Sequence, residues 1–314
     1  MTDTPLKPAI VLVADRTLMG RYKVLFEGIF ATMQTTQVPE AALRHFLSPK
    51  IRTDAQGRAH STPLGLRRVE SALLVETELS PDDVVCTTPE KVLSMIGPWT
   101  RAVIFSSSDP LGRGMSNTTT THFWKGELYT KHWTRELLES LIPHKDKYGF
   151  KVVAGGAGAW QWHSFPDLAK GLPVDVVFEG YFESQGPQLI KDLLAGRPVE
   201  SRIQEKSTCV NHIQPIRGAS VLGILELSRG CGRGCRFCAM GRTRMDHLPV
   251  DTILADLQTN VSAGMKSVVS GSEDFFRYGA DSIHPNFDAL HHLLTEMRTI
   301  KGLSFMQMDH GNVA

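Results

Sequence analysis

The sequence predicts two consecutive α/β units, a layered parallel sheet followed by part of a β/α barrel. Short apolar runs alternate with amphipathic stretches from residue 9 to about residue 200, which is the pattern of βαβα units around a mostly parallel sheet. The alternation resumes after residue 220, where three βα units fit into about 95 residues, the spacing of a β/α barrel. A length of 314 residues suits a chain of about two domains.

The first unit, residues 1–200, is predicted from five short apolar runs and the amphipathic stretches between them. The predicted strands are 9–14, 84–88, 102–107, 151–156 and 175–180, and the predicted helices are 20–33, 129–149 and 186–196. Five strands with helical crossovers indicate a flavodoxin-like or Rossmann-like layer fold. Residues 34–82 have weak periodicity and many turn formers and are predicted to be an insertion, while residues 111–126 are predicted to be a long polar loop.

The second unit, residues 220–314, follows a predicted linker at 201–219 that lacks an apolar period. Its predicted strands are 224–228, 267–271 and 303–308, and its predicted helices are 250–264 and 286–302. Because the sequence stops just after the third strand, we expect only the N-terminal half of a barrel. Either the sequence is a portion of a longer protein or a partner chain completes the barrel, since the last strand would otherwise be an apolar edge.

Charge and hydropathy exclude several classes of function. A net charge of +1 supplies no cationic field for non-specific nucleic-acid binding. No apolar stretch approaches the roughly 18 residues of a membrane span, and the N-terminus lacks the features of a signal peptide. Five cysteines are too few and too clustered for a disulfide framework. We therefore expect a cytoplasmic protein without nucleic-acid or membrane partners.

Three of the cysteines, Cys231, Cys235 and Cys238, lie in one loop with the spacing CxxxCxxC, directly after the first predicted strand of the second unit. The carboxyl ends of strands are where β/α folds place their chemistry. Gaps of three and two residues let a short loop wrap around one iron–sulfur cubane, with each thiolate on a different iron. Nearby glycines permit the positive φ angles that this winding needs, and nearby arginines are expected to offset the ligand charge. These residues are Gly230, Gly232 and Gly234, and Arg229, Arg233, Arg236, Arg242 and Arg244.

A structural zinc site is the alternative for this loop. Such sites are closed and tetrahedral, usually with two ligand pairs some distance apart. The candidates for a fourth ligand are His247 and Cys209, the second of which lies in the predicted linker. Cys86 sits in an apolar run and is interpreted as a small buried hydrophobe. Three ligands without a fourth leave one iron open, which favours a cluster that binds a substrate or cofactor at that iron.

The loop resembles the cluster loop of the radical S-adenosylmethionine (SAM) superfamily, in its spacing and in Phe237 before the third cysteine. The resemblance implies a [4Fe–4S] cluster whose open iron chelates SAM, and reductive cleavage of SAM by electrons from an external donor such as flavodoxin or ferredoxin. Gly271, Ser272 and Glu273, after the second strand, resemble the GGE motif of that superfamily. The resemblance implies that Glu273 receives the SAM amino group, and that Phe237, Gly271 and Ser272 also bind SAM. An ordinary strand-end turn is the alternative for this motif.

The first unit, followed by the linker and this loop, resembles the cobalamin-binding class of radical SAM enzymes. In that class the loop after the first strand often reads DxHxxG, and this chain has Asp15, Thr17 and Gly20 in the same frame, with threonine at the histidine position. The resemblance therefore implies cobalamin bound without a histidine ligand. It also assigns to the cobalamin site Ser106, Ser108, Gly155, Gly156, Glu179 and Gly180. The alternative is a Rossmann-like layer that binds nothing.

The predicted function is that of a cobalamin-dependent radical SAM enzyme, in particular a methyltransferase acting on a small molecule or peptide that the sequence does not identify. A methylthiotransferase shares the cluster loop, but that family carries three further cysteines in its N-terminal domain, where this chain has only Cys86 and Cys209. A non-catalytic cluster-binding or cobalamin-binding fragment is a further alternative. No catalytic residue is assigned, and His310 is the one histidine expected at the same strand ends as the cluster.

Overall fold

A computed structural model describes residues 6–114, 120–236 and 242–312. The strands are β1 Ile10–Ala14, β2 Ser61–Thr62, β3 Val84–Cys86, β4 Ala102–Ser106, β5 Lys151–Gly155, β6 Val176–Glu179, β7 Arg202–Gln204, β8 Ala219–Ser220, β9 Ile224–Glu226, β10 Ser228–Arg229, β11 Asp246–His247, β12 Ser267–Gly271 and β13 Phe305–Met308. The α-helices are Leu25–Thr32, Glu40–Ala42, Leu64–Glu76, Val92–Met95, Tyr129–Tyr148, Gln161–Ser164, Pro166–Ala169, Gly186–Leu194, Val250–Ser262 and Phe287–Thr299. Among these described helices, none is long and apolar enough to cross a membrane.

The first unit is built on a parallel sheet with the strand order β3-β1-β4-β5-β6-β7. β1 pairs with β4 along its whole length, from Ile10 opposite Ala102 to Ala14 opposite Ser106. Every residue of β1 is buried, as expected for a strand with helices on both faces of its sheet. The order is the flavodoxin-like arrangement with one more strand, and its winding reverses between β1 and β4. The predicted α/β fold of the first unit is confirmed.

The predicted insertion at 34–82 is more ordered than its periodicity indicated. It contains the helix Leu64–Glu76, in which residues 66–73 are all buried. Arg67, Arg68 and Glu70 are buried beside the apolar residues, so the helix lacks the clean amphipathic pattern that sequence analysis detects. The reason for the missed helix is therefore a set of buried charges.

The segment predicted as a linker, 201–219, contributes strands to two sheets. β7 pairs in parallel with β6 and becomes the last strand of the main sheet. β8 begins at Ala219 and pairs in parallel with β2, which lies within the predicted insertion. The segment is thus packed against the first unit at both of its ends.

The second unit contains the three predicted barrel strands in the parallel order β13-β12-β9. The helices Val250–Ser262 and Phe287–Thr299 cover this sheet, and Leu225, Leu257 and Leu293 are fully buried between them. β13 lies at the edge, where Phe305 is 59% and Met308 is 42% exposed. The described part of this unit has the architecture of a partial β/α barrel.

Candidate functional site

The cysteine loop is held at both ends by a short antiparallel pair. β10 pairs with β11, with Arg229 opposite Asp246. Just inside this pair, the backbone N–H of Cys231 donates to the carbonyl of Thr243 at 3.1 Å. Cys231 is buried and Cys235 is half-buried. Phe237 and Cys238 lie outside the described residues, so their predicted roles stay predictions.

The glycines of the loop adopt the conformation predicted for them. Gly230, Gly232 and Gly234 have φ angles of 78°, 67° and 72°. A Cβ on Gly230 would lie less than 3.0 Å from the carbonyl oxygen of Arg244, whereas a Cβ on Gly234 would meet no described residue within 4 Å. The first turn of the loop, at Gly230, is therefore closed against the returning chain at Arg244. The outer turn, at Gly234, is open toward the described residues. Thiolates on such a glycine-rich winding fit an iron–sulfur cluster.

The residues considered as a fourth zinc ligand are engaged elsewhere. His247 Nε2 lies 3.1 Å from the carbonyl oxygen of Ala280. The Cys209 thiol is directed at the carbonyl of Tyr181, 3.9 Å away. Within the described ranges, neither residue joins Cys231 or Cys235 in a group of three metal-ligating side chains. Neither described candidate therefore completes a closed zinc site with Cys231 and Cys235.

The arginines of the loop do not all face the cysteines, because two of them form ion pairs with carboxylates elsewhere. Arg229 is buried between Glu183 and Glu226, and Arg233 pairs with Asp274 at 2.6 Å. The exposed members of the set are Arg236, Arg242 and Arg244. The expectation that all five offset cluster charge is therefore corrected for Arg229 and Arg233, because carboxylates already neutralise them.

A cleft of about 240 Å³ opens beside the cysteine loop. It is lined by Leu64, Tyr181, Glu226, Ser228, Gly230, Gly271, Ser272, Glu273, Asp309 and His310. The three residues of the predicted SAM motif thus meet the start of the cluster loop and the predicted His310. The strand ends are tied together, because the Ser228 and Ser272 hydroxyls lie 2.6 Å apart and the N–H of Leu227 donates to the carbonyl of Gly271 at 2.9 Å.

Tyr181 is a residue of this cleft that sequence analysis missed. It follows β6 of the first unit, and its ring lies 4.1 Å from the Arg229 guanidinium carbon. Burial raises the pKa of Tyr181 to about 12, so the hydroxyl stays protonated at neutral pH. The signal available in the sequence was its position, one residue after Gly180 at the carboxyl end of a strand.

Behind the cleft, buried charges form a chain in the order Asp256, Arg68, Glu226, Arg229, Glu183. Arg68 donates to Asp256 at 2.5 Å and to Glu226 at 3.0 Å. Arg229 donates to Glu226 at 2.7 Å and to Glu183 at 2.6 Å. Burial alone would raise the pKa of Glu226, but Arg229 and Arg68 hold it below its usual value. The carboxylate is therefore ionised at neutral pH.

The same chain of charges joins the two units. Arg68 lies in the helix Leu64–Glu76 and Glu183 lies after β6, both in the first unit. Arg229 directly precedes the glycine that begins the cysteine loop. Its side chain is 2% exposed, as is that of Glu183. The position of the cysteine loop is therefore fixed relative to the first unit through buried ion pairs.

The first part of the predicted cobalamin site lies where the winding of the main sheet reverses. The N–H of Asp15 donates to the carbonyl of Ser106 at 3.2 Å. Asp15 Oδ1 accepts hydrogen bonds from the N–H and the hydroxyl of Thr17 at 2.9 and 2.5 Å. The buried Oδ2 has no hydrogen-bond partner among the described residues. The Thr17 hydroxyl also contacts Thr130 at 3.1 Å. Thr17 is thus satisfied by protein groups, and its role in cobalamin binding stays a prediction.

The glycines and serines of the predicted cobalamin site lie close to other parts of the chain. A Cβ on Gly20 would overlap the ring of Tyr22, and a Cβ on Gly156 would overlap the Ser106 hydroxyl. Gly155, the last residue of β5, accepts a hydrogen bond through its carbonyl from the N–H of Ser107 at 3.4 Å. Further along the same loop, a Cβ on Gly158 would press on the carbonyl of Ser108.

The residue types at Glu179 and Gly180 are explained by contacts with β7 and the residue after it. β7 lies in the segment that sequence analysis assigned to the linker. The Glu179 carboxylate accepts from Arg202 and Gln204 of β7, both at 3.1 Å. Gly180 has φ 104°, and a Cβ there would overlap the carbonyl of Glu205. These contacts explain the residue types, and a role of either residue in cobalamin binding stays a prediction.

Asp15 makes the stability of the protein depend on pH. Burial raises its pKa from 3.8 to about 6, against hydrogen bonds from Thr17 that lower it. The folded protein therefore holds this proton more tightly than the unfolded chain, so the stabilisation is complete below pH 3.8 and is lost as the pH rises through 6. In the wild type, we expect Asp15 to lower the free energy of unfolding by about 3 kcal/mol as the pH rises from 4 to 7. Asp15→Asn should abolish this decrease.

Urea unfolding of the wild type and the variant across this pH range measures the effect of Asp15. The exposed Asp167 provides the control, because Asp167→Asn also removes a carboxylate but from the surface. The control should keep the wild-type pH dependence. Parallel stability curves for the wild type and Asp15→Asn would contradict the assignment.

Comparison with known proteins gives relatives in sequence, although no family model matches the chain. The ribosomal protein uS12 methylthiotransferase RimO of Bdellovibrio bacteriovorus is 30% identical over 140 residues, 42% of this chain and 29% of that protein. RimO of Leptospira biflexa is 29% identical over 192 residues, 57% of this chain and 40% of that protein. The tRNA-2-methylthio-N(6)-dimethylallyladenosine synthase of Nitrosospira multiformis is 26% identical over 121 residues, 37% of this chain and 26% of that protein. The chain thus spans less than half the length of these curated relatives.

Solved structures share the fold over most of the chain. The radical SAM methyltransferase TsrM of Kitasatospora setae, solved with tryptophan and the SAM analogue aza-SAM, has a TM-score of 0.53 and 13% identity, covering 92% of this chain and 50% of that one. A structure of TsrM with cobalamin and a [4Fe–4S] cluster has a TM-score of 0.50 and 12% identity, with the same coverage. The cobalamin-dependent SAM radical enzyme OxsB has a TM-score of 0.50 and 13% identity, covering 95% of this chain and 38% of that one. At these identities the likeness shows the fold.

Proposed function

We propose that this chain, a relative of radical SAM enzymes with the fold of the cobalamin-dependent ones, carries the cofactor sites of a methyltransferase that uses SAM, a [4Fe–4S] cluster and cobalamin. One observation carries the proposal. The cleft beside the cysteine loop is lined both by residues 271–273, the predicted SAM motif, and by Leu64 and Tyr181 of the first unit. A ligand in this cleft would touch the cluster loop and the unit with the cobalamin-binding fold at the same time.

The proposed cluster ligands are Cys231, Cys235 and Cys238. The bound cluster supplies the electron for reductive cleavage of SAM, and an external donor such as flavodoxin or ferredoxin is proposed to reduce it. Glu273 is exposed in the cleft and offers a carboxylate to the SAM ammonium group. The Ser272 hydroxyl, bonded to that of Ser228, keeps the motif at a fixed distance from β10.

Cobalamin is proposed to bind at the edge of the main sheet where the winding reverses. The residues there fit the group in two respects. Among the described residues, the buried Oδ2 atoms of Asp15 and Asp109 have no hydrogen-bond partner, so each can accept from amide groups of a ligand. Ser106 and Gly156 at the neighbouring strand ends leave the backbone accessible to a large ligand. Bound cobalamin supplies a methyl carrier to the reaction.

A methylthiotransferase is the second candidate, and the sequence relatives favour it. Outside the cluster loop, however, the chain has only Cys86 and Cys209, fewer than the three further cysteines of that family. Cys86 is 3% exposed within β3. Burial raises the pKa of its thiol, and the nearby Glu70 adds to the effect, so Cys86 is a packed core residue and not a ready metal ligand. The cysteine content therefore favours the methyltransferase.

Further protein, either more of the same chain or a partner chain, is proposed to complete the barrel beside β13. The exposed Phe305 and Met308 of that edge strand support this, because an apolar edge left uncovered promotes aggregation. The substrate, a small molecule or peptide, is proposed to bind on the side that the completed barrel would enclose.

Anaerobic reconstitution with iron and sulfide tests the proposed function. We expect an iron–sulfur absorption band with about four irons per chain, binding of added cobalamin, and cleavage of SAM on reduction. Cys235→Ala should lose the band and the SAM cleavage, because one of the proposed thiolates is gone. Cys209→Ala, which alters a cysteine outside the loop, should keep both.

The outcomes separate the candidates. A colourless zinc protein, or a reconstituted protein that binds no cobalamin and cleaves no SAM, would refute the proposal. About eight irons per chain would favour the methylthiotransferase instead, because that family holds a second cluster.

A further inference from the structure

We propose that Tyr181 is a SAM-binding residue that the first unit contributes to the cleft, held in position by Arg229. This inference rests on the proposed function, since it assigns a further residue to the same site.

The placement of Tyr181 supports this role. The residue follows β6 in the first unit, yet it lines the cleft together with Gly230 and Glu273 of the second unit. Its ring lies over the guanidinium of Arg229, which precedes Gly230 and the first proposed cluster ligand in the chain. Within the described residues, the Tyr181 hydroxyl donates to no acceptor, and Tyr181 borders the cleft. A ligand in the cleft would therefore meet a donor, Tyr181, and an acceptor, Glu273, together with the side chains of Ser228, Asp309 and His310.

SAM has groups that match this pair. Its ammonium group suits the carboxylate of Glu273, while its carboxylate and ribose oxygens are acceptors for a phenol hydroxyl. Glu226 also lines the cleft, but its carboxylate is already engaged by Arg68 and Arg229. The first unit contributes Leu64 and Tyr181 to the lining of the cleft, and Tyr181 is the polar one of the two.

Arg229 acts as a positioning residue for the Tyr181 ring. Its guanidinium packs under the ring at 4.1 Å and donates through Nε to Glu226, and through both terminal nitrogens to Glu183. The carbonyl of Thr208 accepts a further bond at 2.8 Å. With its donors so engaged, the guanidinium is a fixed support for the ring. A donor held in place before the ligand arrives loses little entropy on binding.

The test compares SAM binding by the cluster-loaded full chain with that of Tyr181→Phe, which removes the hydroxyl and keeps the ring over Arg229. Equilibrium dialysis with labelled SAM should show a Kd raised roughly fivefold to tenfold, the worth of one hydrogen bond. Tyr278→Phe is the matched control. Tyr278 is also a buried tyrosine of the described structure, but its hydroxyl donates to the carbonyl of Leu248 at 2.8 Å. This control should bind SAM as the wild type does.

Iron content and a second variant complete the test. Tyr181→Phe should retain the wild-type iron content, and Tyr181→Leu, which also removes the ring, should raise the Kd further. Wild-type SAM affinity in Tyr181→Phe would overturn this inference and leave the proposed function standing. A loss of iron in Tyr181→Phe would also overturn it, because the residue would then act on the cluster loop. Failure of the cluster-loaded wild type to bind SAM would overturn both proposals.

Discussion

Arg229→Met is expected to lower the free energy of unfolding by about 3–5 kcal/mol. The substitution keeps the length of the side chain but leaves the carboxylates of Glu183 and Glu226 facing each other without the cation between them. Glu183 and Arg229 are each only 2% exposed, so water does not replace the lost bonds. Glu226 retains Arg68, but Glu183 loses both bonds from the guanidinium. Chemical denaturation at neutral pH measures the change.

An exposed ion pair provides the control for Arg229. Arg197 pairs with Asp192 at 2.5 Å, but its side chain is 54% exposed, so Arg197→Met should cost no more than about 1 kcal/mol. The double variant Arg229→Met with Glu183→Met should recover part of the loss, because it no longer leaves the Glu183 carboxylate buried without a partner. Equal effects of Arg229→Met and Arg197→Met would show that the buried chain of charges does not join the units.

The sequence was sufficient to predict the elements whose signal is local. The run Ile10–Ala14 is apolar throughout and forms a central strand of the sheet. A parallel strand that is covered on both faces has apolar residues at successive positions, which is the pattern of this run. The positive φ angles of Gly230, Gly232 and Gly234 were predicted from the winding that three closely spaced thiolates need. Residues 271–273 are singled out by their resemblance to the GGE motif, and they meet the cluster loop because parallel strands end at one edge of a sheet.

The residues that were missed depend on partners distant in the sequence. Arg229 was interpreted as a counter-charge for the cluster, whereas it bonds to Glu183, which lies 46 residues earlier. Arg68 reaches Asp256 across 188 residues, and no local pattern indicates that either charge is buried. The helix that contains Arg68 was missed for the same reason. Buried ion pairs therefore concealed both an element of the fold and the contact between the two units.

Gly230→Ala is expected to abolish most of the iron binding, while Gly234→Ala is expected to preserve it. Both residues lie in the left-handed region, with φ of 78° and 72°, so alanine costs about 1–2 kcal/mol of backbone strain at either position. Only at Gly230 does the added Cβ meet the carbonyl of Arg244 at less than 3.0 Å. Because that atom is backbone, the two sides of the loop must separate. Iron per chain after anaerobic reconstitution is the measurement.

The pair of glycine variants distinguishes a closed loop from a merely flexible one. If the ligands depended only on glycine's freedom to adopt positive φ, the two substitutions would reduce iron binding equally. If the first turn must stay closed against the returning chain, Gly230→Ala displaces Cys231, whose N–H donates to Thr243 at 3.1 Å, and the outer turn is spared. A Cβ at Gly234 meets no described residue within 4 Å, so Cys235 beside it can keep its position. Equal iron contents in the two variants would therefore refute the closed first turn as the feature that orders the ligands.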